Sequence, residues 1–253
     1  MDRKLAVIAL TAIALSGLAP AQSMMAITNG ISTLTPVAIV SHSMYQSCTS
    51  PSLTCGVPLT ISHTGDTMLV FLHICQAINC LTAGVPTASM SDGTNTYTQI
   101  GSNCVQSPTT IITGCAFVAA NVTAGSYTLT ITMVAGSPGT NTYFQIVQLV
   151  ELSGGNHTTP LDSNVTQTGS GTSAAPSITS PGNVTYPGEV GIGYQIVTSN
   201  PLTQTGVFSA LDNAGGNDIW SAKVVGPTVG SSLTLSASMT SGHYVFIMVG
   251  VRP

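Results

Sequence analysis

Three groups of residues in this 253-residue sequence have the types and spacing to do chemistry, and each also has an ordinary structural account. The first is Asp212, Asn213, Asn217 and Asp218, gathered around Gly215 and Gly216 and followed by Trp220, the only tryptophan. Side-chain oxygens brought together by one turn could hold calcium, which takes six to eight oxygen ligands. The same amides could read the hydroxyls of a sugar while the indole stacks on its apolar face. Against both stands a plain hairpin loop, in which Asp, Asn and Gly supply turn dihedrals and Trp220 is core. The closing glutamate of the known calcium loop is missing, so calcium is the one cofactor the sequence suggests and it is not required.

The second group is the carboxylates. Past residue 21 these are Asp66, Asp92, Glu151, Asp162, Glu189, Asp212 and Asp218. Glycoside hydrolysis needs two of them across a cleft, and Glu151 with Asp162 is the pair that invites examination. An acid at a strand end bonding a loop amide explains Glu151 without catalysis, because structural networks also perturb acids. Among the five histidines, His73 lies in an apolar run and reads as a core residue. There is no Gly-x-Ser-x-Gly elbow, no His-Glu-x-x-His helix and no phosphate-cradling loop. The expectation is a protein that is not an enzyme.

The third group is six cysteines in three close pairs, Cys48 with Cys55, Cys75 with Cys80 and Cys104 with Cys115. Local disulfides are expected, although six cysteines permit fifteen connectivities. No Cys-x-x-Cys spacing supports zinc. Four Asn-x-Thr sequons, at Asn121, Asn156, Asn164 and Asn183, are compatible with N-glycosylation.

The elements that must position these groups read as strands. Ser and Thr number 65 and alternate with apolar residues in short runs, the period-two pattern of a half-buried strand. In Tyr127 to Met133, Leu129, Ile131 and Met133 would face a core while Thr128, Thr130 and Thr132 face out. Ser232 to Ser238 repeats the device with Leu233, Leu235 and Ala237. Met68 to Ile74, Phe144 to Leu152 and Tyr244 to Val251 are apolar on both faces, which predicts central strands covered on both sides. The polar stretch from Gly154 to Pro181 reads as a long excursion within one domain, held by Leu161, Val165 and Ile178. The octets starting at Gly93 and Gly139 are nearly identical, and a turn feeding a strand explains them better than an internal repeat does.

Composition sets the outer bounds. Only 5% of residues are charged, against about 25% in an average soluble domain. Four Lys and Arg cannot neutralise a phosphate track, which excludes nucleic acid as a partner. Arg3 and Lys4 lead into an apolar run from Leu5 to Leu15 and then Ala19-Pro20-Ala21, the pattern of a signal peptide over residues 1–21. That run is too short to span a bilayer, and no later stretch reaches about 20 apolar residues. Without residues 1–21 the chain keeps two basic and seven acidic residues, a net charge of −5.

Gly65 to Phe71, Ser91 to Ile100, Asn121 to Thr130, Val150 to Gly154 and Pro160 to Asp162 together resemble a β-sandwich module of secreted bacterial surface or adhesin-type proteins. The likeness runs from about Val37 to Arg252. It implies a jelly-roll-like sandwich and a surface role, and it attaches no activity to particular residues. The expected organisation is a signal peptide (1–21), an N-terminal extension (22–36) and one all-β, antiparallel, locally disulfide-bonded sandwich (37–253). The expected function is secreted, non-catalytic recognition of glycans or other extracellular surface components. The alternatives are a self-associating filament subunit that donates residues 22–36 as a strand and, last, a carbohydrate-active hydrolase.

Overall fold

The apolar runs and the Ser/Thr alternation fold into antiparallel strands, and no helix occurs among the described residues. The computed structural model describes residues 34–48, 54–76, 87–101, 104–108, 112–134, 142–198, 202–214 and 219–253. In the first half lie β1 (Ala38–Cys48), β2 (Thr54–Ile61), β3 (Thr67–Gln76), β4 (Thr87–Ser91), β5 (Thr98–Gln99), β6 (Val105–Gln106), β7 (Thr113–Ala119), β8 (Gly125–Val134) and β9 (Thr142–Ser153). In the second lie β10 (Leu161–Ser173), β11 (Ser177–Thr179), β12 (Val190–Val197), β13 (Thr203–Gly206), β14 (Ser209–Ala214), β15 (Ile219–Val225), β16 (Thr234–Ser238) and β17 (Gly242–Val251).

Four sheets stack around three cores. The inner sheets are β1-β9-β3-β7-β5, with β6 also on β7, and β10-β17-β12-β15-β14. The outer sheets are β2-β8-β4 and β11-β16-β13. Strand β3 shows how one strand serves two cores: Leu69 and Phe71 face the other inner sheet, while Met68, Val70, Leu72 and Ile74 face the outer sheet of their own half. Side chains alternate across a strand, so a strand between two cores is apolar on both faces. The same holds for β17, where Val245, Ile247, Val249 and Val251 face inward and Phe246 and Met248 face the third core. The three two-faced apolar runs of the sequence are thus central strands of the inner sheets, and the Ser/Thr-alternating runs are β8 and β16 of the outer ones. Leu129 and Ile131 are buried and Thr128 is exposed, as the alternation predicts.

The sandwich is doubled. Taken in order, β10 to β17 repeat the connectivity of β1, β2, β3, β4, β5, β7, β8 and β9, and only β6 lacks a counterpart. Each half has a jelly-roll-like order, and residues 35–253 form one compact unit. Equivalent residues meet at the centre, where Phe71 of β3 stacks on Tyr194 of β12 with ring centroids 5.3 Å apart. Equivalent turns share backbone conformation: Asn121 after β7 has φ of 52° and Gly226 after β15 has φ of 59°. Close approach of the inner sheets is permitted by Gly114, where a Cβ would lie 2.9 Å from Val245 and 3.0 Å from Ile196. The octets at Gly93 and Gly139 are not the repeated unit, since both belong to the first half and lead to β5 and β9. The stretch from Gly154 to Pro181, read as an excursion, instead holds the connection between the halves followed by β10 and β11, with Val165 and Ile178 in the third core.

One of the three local disulfides is seen, Cys104–Cys115, joining the segment before β6 to β7. Cys55 is also disulfide-bonded. The side chains of Cys48, Cys75 and Cys80 lie outside the described residues, as do residues 1–33, which include the expected signal peptide.

Candidate functional site

The loop that looked most like a ligand site is divided by the strands that flank it. Asp212 and Asn213 belong to β14 and pair with Ser221 and Trp220 of β15. Successive side chains of a strand point to opposite faces, so Asp212 is separated from Asn213 and Trp220 and cannot share one ion or one sugar with them. The Asp212 carboxylate turns across the halves, where Oδ2 accepts from Gln148 Nε2 at 2.9 Å and lies 2.8 Å from His42 Nδ1. Trp220 is half-buried against the third core, with its indole N–H buried. Asn217 and Asp218 lie outside the described residues.

The carboxylates are paired, in a combination different from the expected one. Glu151 and Asp162 belong to separate pairs, Glu151 with Asp66 and Asp162 with Glu189. Glu151 is fully buried at the end of β9 and accepts four hydrogen bonds: Ser62 N at 2.6 Å, His63 N at 3.2 Å, Ser41 Oγ at 2.9 Å and Ser62 Oγ at 2.9 Å. Burial works against its ionisation, but these donors outweigh burial and hold its carboxyl below the usual range. Asp66 is held above the usual range, by burial first and the Glu151 charge second, with His63 offsetting in part. When the pair shares one proton, Asp66 is the member that holds it. In the second half Glu189 is pushed up to about 8, by burial first and then by Asp162. Asp66 and Glu189 hold equivalent positions, each following a glycine of positive φ (Gly65, 98°; Gly188, 79°) and opening the central strand β3 or β12. A Gly-acid pair before an apolar run was the signal in the sequence for both.

His63, Asp66 and Glu151 also form the one trio of metal-capable side chains among the described residues, with atoms within 4.8 Å of one another. A carboxylate offers about four acceptor positions, and all four of Glu151 are taken by protein donors. The trio thus reads as a buried acid pair with an exposed histidine beside it. His73 is buried between the inner sheets and burial pushes it down to about 3, so it is a neutral core residue.

A site the sequence reading missed lies where the two halves meet. A pocket of about 590 Å³ is lined by Thr96, Thr98, Val118 and Ala120 from the first half and by Thr158, Thr159, Pro160, Leu161 and Arg252 from the second. One wall is set by the turn at Asp92, whose carboxylate accepts from Thr94 N, Asn95 N, Asn95 Nδ2 and the Tyr97 hydroxyl. The other is set by Asn156, whose Oδ1 accepts from the backbone N–H groups of Thr158 and Thr159. Side-chain oxygens of Asp and Asn that bond amides two and three residues on rigidify such turns. Arg252 closes the pocket: its backbone N–H donates to Pro160 O and its carbonyl accepts from Asn156 N. The signal for this site was scarcity, since Arg252 is one of two basic residues past residue 21. Of the sequons, Asn121, Asn164 and Asn183 are exposed and Asn156 is half-buried in its turn.

No protein-family model, no curated protein and no solved structure matches the chain.

Proposed function

We propose that the chain is a non-catalytic extracellular recognition module that binds glycans at the pocket between its two halves. The observation that carries this reading is the pocket itself: threonine hydroxyls on two turn-braced walls, apolar patches from Val118, Ala120 and Leu161, and one cation. Saccharides present that same mixture of hydroxyl edges and apolar ring faces, and the volume falls in the range of roughly 300–1,000 Å³ usual for small-molecule sites. The disulfide supports an oxidising compartment. No helix among the described residues is long and apolar enough to cross a membrane. The commitment of Glu151 to four protein donors argues against its use as a catalytic acid or nucleophile. Calorimetry of the oxidised protein against a panel of neutral and acidic oligosaccharides tests the reading. Saturable binding is expected, and a panel with no binder contradicts it.

A specific feature favours self-association as a second reading. Strand β10 is a 13-residue sheet edge with no charge or proline after Asp162, so it lacks two of the usual guards against edge pairing. Size-exclusion chromatography with and without residues 22–36 decides this: assemblies that vanish with the deletion would support a donated strand, and monomers in both samples would remove it.

A further inference from the structure

We propose that the pocket between the halves selects saccharides carrying an anionic group, a carboxylate or a sulfate, and that Arg252 reads that group. The inference rests on the recognition reading above and adds the class of ligand. Arg252 is half-buried, and all three hydrogen bonds of its guanidinium go to neutral oxygens: Nε to Thr159 O at 2.8 Å, Nη1 to the Tyr186 hydroxyl at 2.7 Å and Nη2 to Thr159 Oγ1 at 2.6 Å. The Tyr186 ring, 5.2 Å from Cζ, adds a cation–π contact that leaves the charge in place. Among the described residues no carboxylate forms an ion pair with it.

A guanidinium has five N–H groups, so one remains on Nη1 and one on Nη2. Two such neighbouring donors match the two oxygens of a carboxylate or two of a sulfate. The acids nearest the pocket in sequence are already engaged. Asp92 is spent on its own turn, and Asp162 accepts from Asn164 N and sits against Glu189. Its hydrogen bonds and the Tyr186 ring offset part of the desolvation of the Arg252 guanidinium, but none of them supplies an opposite charge. An anionic sugar would supply the missing counter-charge, while Thr96, Thr98 and Thr158 meet its hydroxyls.

The test is calorimetry of the oxidised protein with two matched pairs of probes, oligogalacturonate with its methyl ester and sulfated dextran oligosaccharide with plain dextran oligosaccharide. Each pair differs in charge and little else. The expected result is that the charged member of at least one pair binds at least about tenfold more tightly, the size of a hydrogen-bonded charge contact. The pair that shows it identifies carboxylate or sulfate. Because Arg252 also braces the 156–160 turn, the decisive variant is Thr98→Glu, which places an acid in the pocket without touching an Arg252 bond. It is expected to abolish the preference, whereas Thr98→Gln, similar in size and uncharged, is expected to weaken both members of a pair alike and leave their ratio unchanged. Equal binding of charged and uncharged members overturns the anion claim and leaves glycan recognition standing. A preference that survives Thr98→Glu places the anion elsewhere and also overturns it. Binding of none of the four probes overturns the recognition reading as well.

Discussion

Replacing Glu189 by glutamine should make the protein more stable in alkali and change little in acid. Glu189 is fully buried, and its carboxyl is raised from 4.5 to about 8 by burial first and by the Asp162 carboxylate second. Between those values the folded protein holds a proton that the unfolded chain has released. The contribution is therefore complete below about pH 4.5 and is lost as pH climbs toward 8. At about 1.4 kcal/mol for each tenfold change, the displacement is worth at most about 5 kcal/mol across that window. Glutamine keeps the shape and the hydrogen-bonding capacity toward Asp162 but has no proton to lose. Urea unfolding with disulfides intact, from pH 5 to pH 8.5, should show the parent losing a few kcal/mol while Glu189→Gln loses clearly less, so that the variant is the more stable above pH 7.5. Asp66 pulls in the same direction, since its carboxyl is raised as well, and Asp66→Asn measured alone separates the two pairs. A parent whose stability does not fall over this range, or a variant that falls as steeply, would refute the buried-pair argument.

Further outcomes follow from the same geometry. Glu151→Gln should cost about 3 kcal/mol in urea unfolding, because an amide cannot accept the four donors now meeting the carboxylate and its own NH₂ must face some of them. An unchanged midpoint would contradict that count. Phe71→Ala should cost about 3–5 kcal/mol, since it empties the centre of the interface between the inner sheets and removes the stack on Tyr194; thermal melting checks it. Gly114→Ala should destabilise by about 1–3 kcal/mol, because its methyl would meet Val245 and Ile196 at the closest approach of those sheets. Replacing both Cys104 and Cys115 by serine should lower stability by about 2–3 kcal/mol, the loop-closure value for so short a loop, and a shift in melting temperature reads it.

What could be seen in the sequence was whatever depends on neighbours along the chain. The faces of β3, β8, β16 and β17 follow from alternation alone, and the Cys104–Cys115 bond joins residues 11 apart. What escaped depends on pairings across the fold. Asp66 and Glu151 meet only because β3 and β9 are neighbours, with Met68 opposite Glu151, and no local pattern announces that register. The doubled topology left little trace because strand order constrains which faces are apolar, not which residues supply them. Equivalent positions thus carry Phe71 and Tyr194, or Asn121 and Gly226. In the segment from Asp212 to Trp220 the described residues belong to strands: Asp212 and Asn213 lie in β14 opposite Ser221 and Trp220 of β15, so their side chains alternate to opposite faces where a loop reading has them converge. Arg252 drew no notice at the end of an apolar strand, although a chain with so few charges makes each one informative.

Glycan binding at the pocket between the halves can be read residue by residue from amide chemical shifts in NMR, during titration with an oligosaccharide of the panel that binds. Shifts are expected to concentrate at Thr96, Thr98, Val118, Thr158, Thr159, Leu161 and Arg252. Shifts concentrated instead between Asp212 and Trp220, with those residues unmoved, would contradict it and return the site to the hairpin that the sequence first suggested.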